Sequence, residues 1–234
     1  MKRLILLSFV IALLMPLKAQ DIKVKSVKRI PIEKEVLEYS FGEKSHKILL
    51  TGMDGLTVSQ YNTRLRRLKA MPELDKNAEA STAQPANLVR AKAAGRKIEV
   101  SGPNIDTRTI APLGEYYYIW ISVSPDGKLL LFNAVGKGSY VSDLEGNILV
   151  DLGKLNSPLW MNENWVLGMD DKDDGHQMTS SEIISVHSPS GIRKQLSDGT
   201  DEIALYPKAS PAGDRIVFQN EKGEIFTMKI RMKE

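Results

Sequence analysis

A phrase returns along this chain: a short β-run, a turn of the form Ser-Pro-x-Gly, and then a hydrophobic strand. It reads Ser124-Pro125-Asp126-Gly127-Lys128-Leu129-Leu130-Leu131-Phe132 in the middle and Ser210-Pro211-Ala212-Gly213-Asp214-Arg215-Ile216-Val217-Phe218 near the end. Looser copies stand at Ser40-Phe41-Gly42-Glu43-Lys44 and at Trp160-Met161-Asn162-Glu163-Asn164-Trp165. Pro fixes φ in such a turn and Gly admits a conformation that other residues disfavour, so Pro125, Gly127, Pro211 and Gly213 read as scaffold. A unit of about forty residues that recurs in this way cannot bury its own apolar face and has to stack on copies of itself.

Strand signals run almost throughout, in short runs between turn residues, and no long 3.6-residue period appears. With Ser40, Ser124, Met161 and Ser210 as register marks, and a degenerate copy marked by Ser81, the spacings are 41, 43, 37 and 49 residues. These fit the ~40–45 residues of a four-stranded propeller blade. The third unit shows the plan: residues 118–123, 129–132, 139–142 and 148–150 as strands, with a hairpin at 143–147. The second unit would take strands at 78–81, 87–92, 97–100 and 107–110. It is rich in Ala and Lys, however, and the alternative is four blades plus an irregular insertion at 70–95.

The last unit stops after three strands, while Ile22-Lys23-Val24-Lys25-Ser26-Val27-Lys28 precedes the first unit with no unit of its own. The economical solution is an all-β propeller of five four-stranded blades, closed by the N-terminal strand, which leaves no open sheet ends.

Residues 1–19 read as a secretory signal. Lys2 and Arg3 open it, residues 4–14 are apolar apart from Ser8, and Ala19 offers a small residue for cleavage before Gln20. The apolar run is too short to span a bilayer, for which about 20 residues are needed, so the mature chain is expected to carry no transmembrane segment. With no Cys near the cleavage point, the expectation is a periplasmic or secreted protein rather than a lipoprotein. Without Lys2, Arg3 and Lys18 the 32 basic residues become 29, equal to the 29 acidic ones. A chain with no net charge has no overall field to draw in nucleic acid. The absence of Cys means that residues 20–234, read as one domain, hold together by core and backbone ladder alone.

The Ser-Pro-Asp-Gly-Lys turn, followed by a strand ending in Phe and a polar loop, resembles the TolB-type, WD40-like (PD40) propeller repeat. The likeness covers residues 115–234 well, 36–69 loosely and 70–114 weakly. It implies a propeller and the exported or envelope roles frequent among such bacterial proteins. It implies no shared chemistry, because the same repeat occurs in non-catalytic propellers attached to serine peptidases.

One segment stands out: Asp170-Asp171-Lys172-Asp173-Asp174-Gly175-His176-Gln177-Met178-Thr179-Ser180-Ser181-Glu182, expected as a loop between the second and third strands of the fourth unit. Such loops share a rim with the connections between blades, where ligands dock. Two readings stand: a solvated hairpin whose Asp residues cap their own turns, or a binding loop using Asp170, Asp171, Asp173, Asp174 and His176. Ca²⁺ on Asp171, Asp173 and Asp174 is the cofactor that oxygen ligands would suit; otherwise no cofactor is expected. An EF-hand match fails, since Lys172 takes a ligand position and Ser181 stands where Glu is needed. Asp54, in the matching turn of the first unit, would add to an acidic rim.

Tyr116 and Tyr117 enter the third unit ahead of Tyr118-Ile119-Trp120, with Trp160 and Tyr206 at comparable points later. Most are expected to pack between blades, with Tyr116 or Tyr117 the exposed member at the channel mouth. The strip Arg64-Leu65-Arg66-Arg67-Leu68-Lys69 reads as an exposed outer strand. No Gly-x-Ser-x-Gly elbow, phosphate loop or His-Glu-x-x-His helix is present. The expectation is a non-catalytic binding propeller for a protein, peptide or glycan of the cell envelope. The alternatives are a carbohydrate-active hydrolase using channel carboxylates, with Asp54, Asp171 and Glu182 as candidates, or a structural subunit of an envelope complex.

Overall fold

The computed structural model describes residues 21–32, 34–71, 88–103, 105–197 and 203–233. Among them there is no helix, and hence none long and apolar enough to cross a membrane. Residues 1–19 and the expected strand at 78–81 lie outside the described residues. The N-terminal strand β1 (Asp21–Arg29) is followed by β2 (Val36–Phe41), β3 (Lys47–Gly52), β4 (Val58–Asn62) and β5 (Arg67–Ala70), which form one antiparallel sheet. A three-stranded sheet follows, made of β6 (Arg90–Ala94), β7 (Lys97–Gly102) and β8 (Ile105–Ile110). The third contains β9 (Tyr118–Val123), β10 (Leu129–Ala134), β11 (Gly138–Asp143) and β12 (Ile148–Gly153). The fourth contains β13 (Asn156–Trp160), β14 (Trp165–Asp173), β15 (Met178–His187) and β16 (Ile192–Gln195). The last contains β17 (Leu205–Ala209), β18 (Arg215–Gln219) and β19 (Ile225–Lys233), with β1 as its outer strand.

The fold is a β-propeller, and the chain's own beginning closes it. β1 runs antiparallel to β19 from Asp21 opposite Lys233 to Arg29 opposite Phe226, with one shift between Val24 and Ser26. The second unit is a sheet in its own right, so residues 90–94 are strand and not part of an irregular insertion. Its β6 rests on β9 as β10 rests on β13 and β14 on β17, which is the place of a second strand.

The core lies between sheets. Trp165, Leu167 and Ile183 of the fourth sheet meet Ile216, Phe218 and Met228 of the fifth. Val217 and Ile225 of the fifth meet Tyr39, Ile48 and Leu50 of the first. Phe132 and Leu130 pack back on Ile98 and Val100, whereas their neighbour Leu131 packs forward on Val166 and Ile184. A second strand is thus buried on both faces. That is why it reads as an unbroken apolar run where a half-exposed strand would alternate.

The repeated turn is held by its serine. Ser124 Oγ accepts the Leu129 amide at 2.9 Å and donates to Asp126 at 2.6 Å. Ser210 Oγ repeats this with the Arg215 amide and Asp214, each at 3.0 Å. Gly127 and Gly213 take φ of 77° and 65°. In the looser copy at 160–165, the Asn162 side chain accepts the Trp165 amide at 2.8 Å and does the work of the missing serine.

Each inner strand of the third, fourth and fifth sheets swells at one point, two residues opposing one on its partner. Trp120 and Ile121 face Phe132, Ser157 and Pro158 face Gly168, and Tyr206 and Pro207 face Phe218. The first residue of each pair is left-handed, with φ of 50°, 48° and 49°, at a cost of about 1–2 kcal/mol apiece for a residue with a Cβ. Two carbonyl groups, those of Leu205 and Tyr206, stand at the swelling in β17. Both accept the Tyr39 hydroxyl of the neighbouring sheet, at 3.2 and 2.8 Å.

Candidate functional site

Strand order sets which turns share an end of the propeller. The connections between sheets and the turns after β3, β6, β10, β14 and β18 lie together at one end. Asp54, Tyr116, Tyr117 and the tip of the acidic hairpin all belong to it. The Ser-Pro-x-Gly turns belong to the other.

The acidic segment differs from the expected long loop. Asp170 pairs with Glu182, Asp171 with Ser181 and Asp173 with Met178, so only residues 174–177 form the turn. This part of β14 and β15 stands beyond the packed core, where a ladder needs no apolar residues, and so its sequence gives no strand signal. The carboxylates are engaged locally. Arg193 donates to Asp170 Oδ2 at 2.6 Å and to the carbonyls of Leu152 and Lys154 at 2.8 Å each, clamping the fourth sheet to the third. Asp171 Oδ1 accepts Asn156 Nδ2 at 2.6 Å, and its carbonyl accepts the Lys154 ammonium.

At the tip, Asp173 accepts the Gly175 amide at 3.0 Å. Asp174 accepts the amides of Gln177 and His176 at 2.9 Å, which lowers its pKa. His176 is exposed. Among the described residues no group of three or more His, Cys, Asp or Glu stands ready to hold a metal.

Asp54 does the same work in the β3–β4 turn. Its carboxylate accepts the Thr57 hydroxyl, the Thr57 amide at 2.8 Å and the Leu56 amide at 2.9 Å, and these bonds lower its pKa to about 2. A depressed carboxylate contributes stability that is present above its unfolded value near 3.8 and is lost as pH falls through about 2. Amide exchange at Leu56 and Thr57 is therefore expected to speed up in Asp54→Ala at neutral pH, and the gap from the native protein to narrow between pH 4 and 2. An equal rate at pH 7 would contradict the assignment.

Asp54 also borders a cavity of about 680 Å³ with Glu35, Val36, Leu50 and Leu68. The other two hydrolase candidates lie in the fourth sheet, where Glu182 accepts the Ser197 hydroxyl. The three are not brought together.

The aromatic entry to the third sheet divides as its burial dictates. Tyr118 is buried edge-on to Phe132, with ring centres 5.4 Å apart, and its hydroxyl donates to the Gly114 carbonyl at 2.7 Å. Tyr117 is 59% exposed beneath the Arg96 guanidinium at 5.0 Å, and half-buried Tyr116 lies under the Lys137 ammonium at 5.6 Å. Trp160 is partly buried against the third sheet. Trp120 and Tyr206, expected between blades, are instead 41% and 47% exposed. Arg96 and Lys154 were not legible as rim residues, because a single cation in a glycine turn carries no local signal. A cleft of about 360 Å³ sits between the β10–β11 turn and the connection into β13, lined by Asn133, Lys137, Lys154 and Asn156.

No family model matches the chain, and no curated protein matches it. Among solved structures, the chain is similar to the β-propeller domain of Myceliophteria thermophila Cps50 (Swd1), at 10% identity over 83% of each chain and a TM-score of 0.43.

Proposed function

We propose that this chain is a non-catalytic binding propeller of the TolB-type, PD40 kind, exported to the periplasm or beyond, whose rim holds a protein, peptide or glycan of the cell envelope. The observation that carries the reading is the rim itself. A rigid scaffold presents side chains that packing does not require, above all Tyr117 at 59% exposure, at the same end as the exposed tip of residues 173–176. The export part is supported by residues 1–19, and mature protein from the periplasm or medium should begin at Gln20. Turn capping accounts for Asp173 and Asp174 without Ca²⁺. A rise in melting temperature with Ca²⁺ over chelator would add the ion to the site.

Asp173→Ala combined with Asp174→Ala and Tyr117→Ala is expected to lower capture of the partner from the organism's own envelope at least tenfold, with little change in melting temperature. Unchanged capture would remove the rim from the account. Turnover of an envelope glycan by the purified protein would replace it with the hydrolase reading.

A further inference from the structure

Charges balance over the chain from Gln20 but not over its surface. Residues 21–71 and 203–233, the first and fifth sheets with the closing strand, carry 17 Lys and Arg against 9 Asp and Glu. Residues 118–197, the third and fourth sheets, carry 6 against 10. The basic side has a focus. By the alternation that groups the Ser-Pro-x-Gly turns, the β2–β3 and β4–β5 turns lie with them, at the end away from the rim. The Thr63 amide donates to the His46 carbonyl at 2.9 Å, which sets these two turns side by side. The Ser45 side chain turns to Asp214 of the β17–β18 turn. His46 stands among Arg64, Lys44, Lys47 and Arg215, and loss of solvent followed by these cations lowers its pKa. Of the two carboxylates in the three turns, Asp214 accepts the Ser210 hydroxyl at 3.0 Å and Glu43 is exposed.

Leu65, between Arg64 and Arg66, is 72% exposed, more than any other large apolar residue among those described. Asn62 Oδ1 accepts the amides of Arg64 and Leu65 at 3.0 and 3.1 Å, so the tip of the β4–β5 turn is held in one shape. Arg64, Arg66, Arg67 and Lys69 are all exposed, and none makes an ion pair with a described residue. Cations on an outer strand keep other strands away, which accounts for Arg67 and Lys69. It does not account for a leucine held out in water among them.

We infer that this end of the propeller docks on an anionic phospholipid bilayer, with Leu65 entering the acyl boundary and Arg64, Arg66, Arg67 and Lys69 on the phosphates. A bilayer supplies both partners at once: hydrocarbon for the apolar tip, and a plane of phosphodiesters for cations whose stems lie along it. Nucleic acid offers the charge without the hydrocarbon, and residues 62–71 hold no aromatic ring to stack on bases. A protein would need a pocket shaped to Leu65, whereas lipid closes round a protruding side chain of any outline. The rim then faces away from the lipid and stays open.

The docking end is separate from the rim, so each can fail alone. Protein lacking residues 1–19 is expected to bind vesicles containing phosphatidylglycerol at least tenfold more tightly than phosphatidylcholine vesicles in sedimentation, and to come off in high salt. Leu65→Asn should weaken binding at least tenfold at an unchanged melting temperature, and Arg64→Glu with Arg67→Glu should abolish it. On vesicles, Leu65→Trp should give a blue-shifted emission that brominated lipid quenches more than in the native protein. Unchanged binding in Leu65→Asn, no added quenching in Leu65→Trp, or equal binding to neutral vesicles would each overturn the docking. So would duplex DNA held as tightly as vesicles, with Leu65→Asn no weaker, which would mark a plain polyanion site. The Asp173, Asp174 and Tyr117 variant should bind vesicles like the native protein, and a loss there would move the lipid to the rim and refute this end. Unchanged envelope capture in that variant would remove the rim and leave the docking standing.

Discussion

Removing residues 21–29 is expected to abolish cooperative folding, although the deleted strand is only the outermost of its sheet. Among the described residues, β1 is the strand paired to the outer edge of β19, from Asp21 to Arg29. Ile22 is buried in the cluster between the fourth and fifth sheets, and Ile30, positioned by the strand's end, is 1% exposed between the fifth and the first. Asp21 also accepts the Lys194 ammonium across to the fourth sheet. Each buried Ile contributes about 1.5–3 kcal/mol in a fold whose whole margin is about 5–15 kcal/mol, and the deletion opens a sheet edge as well. Thermal melts and size-exclusion should show a broad, aggregating species in place of one transition. A deletion variant with the native melt would refute the closure. The chain has no cysteine, so Ser26→Cys with Lys229→Cys, which are paired in the ladder, should form a single readable disulfide.

Gly138→Ala is expected to be among the most costly point substitutions. A Cβ there would sit 2.7 Å from the Gly153 carbonyl oxygen, a backbone atom on the neighbouring strand, and Gly138 holds φ at 125°. Strain and overpacking together should cost about 3–5 kcal/mol, lowering the melting temperature by roughly 10 °C. Gly136→Ala, two residues away, is the control. Its φ is 80° but nothing lies within 4 Å of the added carbon, so it should cost about 1–2 kcal/mol. Equal losses in the two variants would show that the Gly153 contact is not what constrains Gly138.

Some of the site was legible early and some was not. Asp54, Tyr116, Tyr117 and residues 173–176 reach one end because a hairpin repeat sends every second turn the same way, and repeat spacing is readable. The length of the acidic hairpin was misread, since residues 170–173 and 178–182 form a ladder without apolar alternation. Trp120 and Tyr206 were misplaced for a different reason. Alternation assigns faces only while the count of residues on paired strands stays equal, and a bulge changes that count without any local mark. Nothing in Trp120-Ile121 announces a left-handed residue.

Repeat, turn chemistry and apolar runs were enough to determine the class of fold, the stacking of sheets and the return of the first strand to the last. Those follow from local rules: Pro and Gly at turns, Ser bonding its own turn, and second strands too apolar to face water. The tertiary structure alone decided where strands bulge, which aromatic rings are exposed, and which cations gather at the rim. These depend on residues far apart in sequence meeting across sheets, as Arg193 meets the Leu152 and Lys154 carbonyls and Tyr39 those of Leu205 and Tyr206.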